Sequence, residues 1–418
     1  MRTGPGAGEE GAYRAEVLPG IDALPDALWR ALAPPDDPMW SRAVFAAMES
    51  AAIGPDGYAY LLVHRAGRPV AVLPLTVFRG LRLDRIAGPR ERRLLAPVAR
   101  VAPRLLRVPT LFCGHLLGQG HVLGGRDGGD GADDDALARV LVASVLRYAR
   151  ARRLGTVVFK DFAPRDLAPL ADALRDAGFF PVPGLPDTEL PLDHASLDEH
   201  VAALPAKPRR NARSNQRKYA AHRPALRMEV LDDFTRLVPS MLALYRQVMD
   251  RADQTLDELD AAFLTALRPA PGVRVRLVAC FEGERLVAFL LCLFSGTGAT
   301  GARIGLDYAL AHDARLWHNV HYAAIRLALA EGCRHIRFAQ TAYVPKVELG
   351  CGLVAQRHAV THVRPLPRAV LRRLLPPAFA RSVAAALGPH AGRPQDAPRP
   401  GVTPPPPHPE GRRAPCPE

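Results

Sequence analysis

The sequence predicts an α/β fold with two tandem domains, each a mixed sheet flanked by helices, followed by a disordered proline-rich tail. Three observations support this prediction. The chain has 418 residues, of which 48% are hydrophobic, and this is more than one ordinary core needs. The same succession of hairpin, long helix and buried strand occurs twice along the chain. The chain ends in a stretch dominated by proline that has almost no large apolar residues.

The first copy of this succession begins with two apolar runs that predict a β-hairpin. The strands are expected at Tyr58–Arg65 and Pro69–Phe78, with a turn at Ala66-Gly67 between them. Further along, Ala136–Arg153 carries apolar residues at helical spacing, and the strand Thr156–Phe159 follows it. A hairpin, a helix and a strand in this order are typical of a mixed sheet with a covering helix.

The second copy repeats the same signals. Strands are expected at Val273–Phe281 and Leu286–Phe294 around the turn Glu282–Glu284. The helix Leu316–Glu331 then leads into the strand His335–Phe338. Duplication explains the common order and turn chemistry, although any two α/β halves resemble each other at this level of detail.

These patterns divide the chain into four parts. Residues 1–12 and 386–418 are predicted to be disordered, because their composition cannot form a core. Residues 13–193 form the first predicted domain, and residues 194–385 form the second. The second domain includes a basic helix at 207–220.

The overall charge favours an anionic partner. A formal charge of +13 and a pI near 10.0 suit nucleic acid, a phosphorylated small molecule or an acidic lipid surface, although genomic base composition also produces arginine-rich chains. No run of apolar residues is long enough to span a membrane, and the N-terminus lacks an apolar signal core. The six cysteines form no metal-binding or disulfide pattern. We therefore expect a cytoplasmic protein without a metal.

The strongest local signal is an arginine stripe on the basic helix. Arg209, Arg213 and Arg217 follow one another at intervals of four residues, and Arg210 lies beside them. Stacked arginines repel one another unless an anion or a carboxylate lies across them. The stripe therefore predicts either contact with phosphate or RNA, or pairing with the acidic residues of 231–260.

A second candidate site follows the last predicted strand, in the segment Gln340–Gly350. Such a loop lies at the carboxyl edge of a sheet, where α/β folds open their clefts. Lys346 could place a positive charge on a developing oxyanion or a substrate phosphate. The alternative is an ordinary surface lysine.

Polar residues near the end of the preceding strand form a third candidate site. Asp307 could act as a base or orient an amine, and Tyr308 or Tyr322 could donate a hydrogen bond to a carbonyl. Asn319 lies on the same helix as Tyr322. The alternative is structural: Asp307 begins a turn and the tyrosines pack in the core.

A fourth pattern, Arg126–Gly131, fits the Arg-x-x-Gly-x-Gly loop that binds pyrophosphate in CoA-dependent acetyltransferases. It lies directly before a predicted helix, where backbone amides bind phosphate. However, Asp127, Asp130 and Asp133–Asp135 would repel the same phosphates. The corresponding segment of the second half, Ala311–Trp317, has no glycine.

The order of these motifs resembles a known family. The runs LPAKPRRNARSNQRKY, IGLDYALAHDARLWHNVHYAAIRLALAEG and AYVPKVELG are similar to GNAT-type acyltransferases related to the Fem peptidoglycan-bridge enzymes, including their BioF2-like or CelD-like branch. Tyr343, Lys346 and Gly350 match the Tyr-x-x-Lys-x-x-x-Gly loop of these relatives. Their arginine-rich helix matches Arg209, Arg210, Arg213 and Arg217.

This resemblance implies two GNAT-like domains and an acyl transfer. Its co-substrate would be acyl-CoA or an aminoacyl-tRNA, and its acceptor a small-molecule amine or a cell-wall precursor. The resemblance assigns catalysis to Lys346 and Tyr343, to which the sequence pattern adds Asp307. Substrate binding would fall to the arginine stripe with Tyr308, Asn319, Tyr322 and Gly350.

Two other interpretations remain open. The chain could be a non-catalytic protein that binds RNA or another anion on a GNAT scaffold. The second is peripheral membrane contact through the basic and apolar segment Ala369–Leu387. Pro376-Pro377 is expected to interrupt a helix there, and this favours a segment that only caps the protein surface. The sequence leaves the oligomeric state open.

Overall fold

The fold was analysed in a computed structural model of the chain, which describes residues 13–83, 89–124, 131–251, 258–267, 269 and 271–390. Two mixed β-sheets, flanked by helices, make up this part of the chain. The predicted α/β fold class is therefore confirmed. Residues 1–12 and 391–418, which the sequence predicts to be disordered, and most of the Arg126–Gly131 loop lie outside the described residues. The prediction of a disordered tail from residue 386 is wrong for residues 386–390, because a helix reaches Leu387 and a 3-10 turn follows at Gly388–His390.

The first sheet has the strand order β1-β2-β3-β4-β6-β15-β7, and a short β5 pairs with β3. All neighbours are antiparallel except β4 and β6, which are parallel. The strands are β1 (Tyr13–Leu18), β2 (Gly57–Arg65), β3 (Arg68–Arg82), β4 (Arg107–Cys113), β5 (Leu123–Gly124), β6 (Thr156–Phe162), β7 (Phe180–Pro183) and β15 (Arg357–His362).

The second sheet has the order β14-β8-β13-β12-β11-β10-β9, in which only β12 and β13 are parallel. Its strands are β8 (Asp187–Pro191), β9 (Leu226–Leu231), β10 (Arg274–Glu282), β11 (Arg285–Ser295), β12 (Gly298–Leu306), β13 (His335–Arg337) and β14 (Gly352–Val354). Both predicted hairpins are present, as β2-β3 and β10-β11.

The helices of the described residues cover these sheets. In the first half they are α1 (Asp26–Leu32), α2 (Arg42–Ser50), α3 (Pro89–Val101), α4 (Gly131–Ala151), α5 (Pro164–Leu167) and α6 (Ala171–Asp176). In the second half they are α7 (Leu197–Ala203), α8 (Ala206–Ala221), α9 (Val238–Met249), α10 (Ala261–Ala266), α11 (Tyr308–Ala311), α12 (Leu316–Ala330), α13 (Tyr343–Glu348) and α14 (Pro365–Leu387). The predicted long helices correspond to α4 and α12, and the predicted basic helix to α8.

The two sheets repeat one topology and exchange one strand. Read from β1 and from β9, each sheet places a parallel pair after its first three strands and an antiparallel strand next to that pair. This antiparallel strand comes from across the predicted boundary at residue 193: β15 inserts into the first sheet and β8 into the second. The sequence boundary and the boundary between the sheets therefore differ, because pairing, not chain order, determines where a strand lies.

One apolar core joins the halves. It includes Trp40 and Phe45 from the first half together with Phe263 and Leu291 from the second. Polar contacts border this core, since the Asp36 carboxylate accepts a hydrogen bond from the Thr297 backbone N–H at 2.7 Å. Because the halves share buried apolar surface, they stabilise each other.

Helix α14 differs from the prediction. It continues through Pro376-Pro377 to Leu387, whereas these prolines were expected to interrupt it. Packing explains the continuity: Leu371, Leu375 and Phe379 lie against the apolar surface of β7 and β15, and this burial offsets the backbone hydrogen bonds that proline cannot make. Among the described residues, no helix is long and apolar enough to cross a membrane.

Candidate functional site

The second sheet opens into a fork where its two parallel strands separate. β12 and β13 pair only from Gly298–Thr300 to His335–Arg337, and β12 then continues to Leu306. Over Gly301–Leu306, the pairing described for β12 is with β11 alone. One edge of β12 therefore presents backbone N–H and C=O groups to the fork, and such groups require hydrogen-bond partners.

The chain leaves β13 in a strained loop at the other side of this fork. Ala339, Thr341 and Ala342 have φ values of 57°, 65° and 47°, in the left-handed region that non-glycine residues seldom adopt. Strain of this kind persists only where surrounding contacts enforce it. Lys346 supplies those contacts: its buried ammonium donates to the backbone carbonyls of Phe338 (2.5 Å), Ala339 (3.0 Å) and Gln340 (2.9 Å).

These contacts bear on the predicted role of Lys346. An ammonium has three N–H donors, and all three are directed at the loop, so none is left for an oxyanion. Burial lowers the pKa of Lys346 to about 8, against the opposing effect of Asp187. In this geometry Lys346 holds the loop that borders the fork, and the expectation of an ordinary surface lysine is wrong because the side chain is buried.

The other two residues of the matched loop also have structural roles, and Tyr343 is buried. The Tyr343 hydroxyl donates to the Pro186 carbonyl at 2.7 Å, and burial raises its pKa. Gly350 has a φ of +100°, and a Cβ there would lie 3.1 Å from Leu204 and 3.3 Å from His200. Tyr343 therefore anchors α13, and Gly350 permits the close approach of α7.

Asp307 directly follows β12 at the mouth of the fork and caps the short helix α11. One of its oxygens accepts from the Ala309 backbone N–H at 3.0 Å, and the other accepts from Arg285 at 2.5 Å. This is the turn-forming alternative of the sequence analysis, and both oxygens already have partners. Next to it, the ring of Tyr308 lies under the Arg251 guanidinium at 4.0 Å.

The N-terminus of α12 lies after this turn. Its N-cap residue Arg315 is left-handed, with φ 54°, and the first turn contains no acidic residue. Burial lowers the pKa of His318 to about 4, with a further contribution from Arg315. The free N–H groups and the positive end of the helix dipole make such a terminus suited to an anion.

The basic helix α8 packs directly on α12. The buried Asn319 amide donates to the Asn215 carbonyl at 3.3 Å and to the Arg315 carbonyl at 2.9 Å. Tyr322 lies on the same buried face, where burial raises its pKa although a hydrogen bond with Asn215 opposes that effect. Asn319 and Tyr322 therefore join two helices, and for Tyr322 this is the core alternative given in the sequence analysis.

The arginine stripe faces outward. Arg210, Arg213 and Arg217 are exposed, and none of them has an ion-pair partner among the described residues. Arg209 instead donates to the Ala202 carbonyl at 2.9 Å. Within the described chain, the alternative of pairing with the 231–260 carboxylates is therefore not observed, and three charges remain available to an anionic ligand.

The corresponding fork of the first half is closed. β4 and β6 pair over Thr110–Cys113, and the Gly120 N–H then donates to the Asp161 carbonyl at 2.9 Å. Lys160 donates to the Leu116 carbonyl at 3.0 Å and also pairs with the Asp161 carboxylate. The loop after β4 thus occupies the space that is open in the second half.

A buried charge network lies where the halves meet. Arg337 donates to Asp37 of the first half at 2.9 Å and to Glu189 of β8 at 2.9 Å. These carboxylates and Asp187 raise the Arg337 pKa against the effect of its burial. Burial raises the pKa of Asp187 to about 6, although Arg337 opposes the shift.

Sequence reasoning missed Arg315, His318 and Lys160. Arg315 and His318 lie within the quoted LWHNVHY helix and its approach, but only a predicted strand, turn and helix in succession would have indicated an anion site there. Nothing in the local sequence distinguishes Lys160. Among the described residues, no group of three or more potential ligands could hold a metal ion.

The fork, the helix α12 and the basic helix α8 all lie within one segment that matches a known family. Residues 206–344 match the family described as Acetyltransferase (GNAT) domain. The match extends from α8 into α13, so this segment of the second half is similar to a GNAT acetyltransferase domain. A comparison with curated proteins found no match.

Solved structures resemble larger parts of the chain at low identity. The C-terminal domain of a putative lysylphosphatidylglycerol synthetase from Agrobacterium fabrum is 11% identical with a TM-score of 0.47, covering 88% of this chain and 96% of that one. FemX is 12% identical (TM-score 0.46, 75% and 94% covered). A tandem GNAT protein from the clavulanic acid biosynthesis pathway is 13% identical (0.45, 84% and 99%).

Proposed function

We propose that the chain transfers an acyl or aminoacyl group from acyl-CoA or aminoacyl-tRNA to an amine, and that the donor binds in the β12-β13 fork. The observation that carries this proposal is the separation of β12 from β13 beyond Thr300, which turns one edge of β12 toward the fork within the segment that matches the GNAT family. The edge gives an extended, amide-bearing donor the hydrogen bonds that a further strand would make.

The charge around the fork supports an anionic donor. A phosphate at the N-terminus of α12 would meet free backbone N–H groups, the helix dipole and the Arg315 side chain. By contrast, the α4 helix of the first half carries the exposed Asp134 and Asp135 near its N-terminus. The second half is therefore the better site for both CoA and a tRNA end.

The chemistry needs no residue to become covalently modified. The acceptor nitrogen attacks the donor carbonyl, the tetrahedral intermediate collapses, and the thiolate of CoA or the ribose oxygen of tRNA leaves with the bonding electrons. The nitrogen loses one proton to solvent or to the leaving group. Catalysis by orientation and by backbone N–H donors at the carbonyl is sufficient for such a reaction.

Within this proposal, the predicted residues act mainly by positioning. Lys346 and Tyr343 fix the loop and helix that border the fork. Asp307 fixes the turn into α12 because Arg285 and the Ala309 N–H occupy its oxygens. The exposed stripe of Arg210, Arg213 and Arg217 binds the more distant phosphates of the donor.

Donor consumption tests the proposal. The purified full chain is incubated with radiolabelled acetyl-CoA or with charged tRNA, together with a panel of primary amines, and the labelled product is counted. Consumption of either donor, dependent on the amine, is the expected result. If neither donor is bound or consumed, the assignment of the fork is wrong.

The exposed arginines favour one second candidate, a non-catalytic protein that binds RNA or another anion. Three uncompensated arginines on one helix face are sufficient for salt-dependent RNA binding. In that case RNA would bind with a steep salt dependence and the variant R210E/R213E/R217E would abolish binding. No acyl donor would then be turned over.

A further inference from the structure

Helix α14 carries apolar side chains on two opposite faces. Its inner face is buried, because Leu371, Leu375 and Phe379 pack against Phe180 and Val360 of the first sheet. Arg372 borders this contact and lies over the Phe180 ring at 5.8 Å. The helix is therefore already docked to the first sheet, and its outer face is a separate surface.

The outer face exposes an apolar stripe to solvent. Leu366, Val370 and Leu374 follow at intervals of four residues, so they lie one above another along the helix. Their exposed fractions are 81%, 55% and 58%. Large apolar residues exposed singly are ordinary, but a continuous stripe on one helix face marks an interaction surface.

The charge around the stripe selects the partner. Arg373 flanks the stripe, Arg381 extends it by two further turns, and both are exposed. From Gly350 to Gln395 the sequence contains no aspartate or glutamate. Apolar residues combined with arginine on one exposed face are the composition that binds an interface of lipid headgroups.

We infer that the outer face of α14, formed by Leu366, Val370, Leu374, Arg373 and Arg381, binds the surface of an anionic lipid membrane. Helix α14 would lie parallel to the membrane, since its inner face remains packed on the sheet. Leucine and valine would enter the headgroup boundary, and the arginines would contact lipid phosphates. The acyltransfer site does not take part in this contact.

Two other occupants fit the surface less well. A second copy of the chain would bring Arg373 and Arg381 against the same arginines, and like charges oppose such a contact. The segment 391–418 is mostly proline and polar residues, with Val402 as its one large aliphatic residue. That segment lacks the apolar side chains needed to cover the stripe.

Vesicle sedimentation of the full chain tests the inference. Protein is mixed with vesicles of phosphatidylcholine alone or enriched in phosphatidylglycerol, at low and high salt. We expect binding to the anionic vesicles only. The variant L366S/V370S/L374S should bind at least about tenfold more weakly, and R373S/R381S should lose the salt-sensitive part of binding.

Matched variants separate this surface from others. V17S/V230S removes two exposed valines, one on β1 and one on β9, and this variant should bind vesicles like the unmodified chain. R210E/R213E/R217E, on α8, should also retain binding. Thermal unfolding of each variant checks that it is folded.

Four outcomes would overturn the inference. They are no binding to anionic vesicles, binding unchanged in L366S/V370S/L374S, binding lost only in the α8 variant, and a dimer in sedimentation equilibrium that the stripe variant dissociates.

Discussion

The two halves build the same fork in different states. In the first half, Gly120 and Lys160 hold the loop after β4 across the fork between β4 and β6. In the second half, β12 and β13 separate after three residue pairs, and Lys346 draws the loop carbonyls away on the far side. A duplicated topology therefore gives one closed and one open fork, and the placement of a single loop makes the difference.

The charge at the N-terminus of the helix that follows each fork also differs between the halves. The helix after the closed fork carries Asp134 and Asp135 near its N-terminus, whereas the helix after the open fork has Arg315 at its N-cap. An anionic ligand is thus disfavoured in the first half and favoured in the second. The first half therefore supports the fold, while the second half holds the candidate site.

The largest expected effect is a difference between the variants of Lys346 and Lys160. Lys346→Ala leaves three loop carbonyls without their donor and releases the strained loop, so acyl transfer should fall by about 100-fold or more. Lys160→Ala leaves the buried Asp161 with less compensation and should reduce stability instead. Steady-state kinetics and urea denaturation of both variants measure the two effects.

The assignment of the open fork would fail if Lys346→Ala folded normally and retained full turnover. It would also fail if Lys160→Ala, compared at the same concentration of folded protein, reduced turnover as much as Lys346→Ala does. A normal far-ultraviolet spectrum is the control for both variants.

Two glycines distinguish the closed fork from the open one. A Cβ on Gly120 would lie 2.3 Å from the Lys160 carbonyl oxygen, which is backbone and cannot move aside. Gly120→Ala should therefore lower the free energy of unfolding by about 2 to 3 kcal/mol. A Cβ on Gly301 would lie 2.8 Å from the Phe338 ring, a side chain that can shift, so Gly301→Ala should lower it by about 1 kcal/mol. Equal losses in urea denaturation would contradict the comparison.

Two substitutions on helix α12 test whether an anionic donor binds at its N-terminus. Arg315→Glu places a negative charge at the N-terminus of α12, which should raise the KM for an anionic donor about tenfold while kcat changes less. Arg326→Glu makes the same substitution at an exposed position further along α12 and is the matched control. An equal rise in KM for both variants would indicate a general charge effect.

The smallest expected effect concerns two buried carboxylates with opposite shifts. Burial disfavours the charge of Asp161, but Lys160 and His358 lower its pKa, whereas burial raises the pKa of Asp187 to about 6. Because the folded state binds the Asp187 proton more tightly, its contribution to stability is present below about pH 4 and is lost as pH rises through 6.

The Asp187→Asn variant should therefore lose this pH dependence and at pH 8 should be equal to or slightly more stable than the unmodified chain. Asp161→Asn should destabilise the chain at pH 8, since Lys160 loses its charged partner. Urea denaturation at pH 4, 6 and 8 measures both. A destabilised Asp187→Asn at pH 8 would show that its charged form is needed.

The sequence predicted the parts of the fold that periodicity controls. Both hairpins and the helices α4, α8 and α12 are present because apolar spacing and turn residues specify them locally. The exchange of β8 and β15 depends on pairing between distant segments, and local patterns do not encode it. The continuity of α14 through two prolines depends in the same way on tertiary packing.

The candidate site was predicted less completely. The loop of Lys346 and the stripe on α8 were located from residue types and spacing, but the direction of the Lys346 ammonium depends on the left-handed loop beside it. The partners of Asp307 could not be foreseen, since Arg285 lies 22 residues away on the neighbouring strand. Side-chain direction, more than residue identity, separates a catalytic group from a positioning one.

Hydrogen–deuterium exchange with and without donor tests the central claim most directly. With saturating acetyl-CoA, and separately with charged tRNA, the account predicts protection of Gly301–Leu306 and of the first turn of α12 by at least one of the donors. It predicts no change in β4, β6 or the loop that contains Gly120. Protection in the first fork, or no protection in the second fork with either donor, would contradict the account.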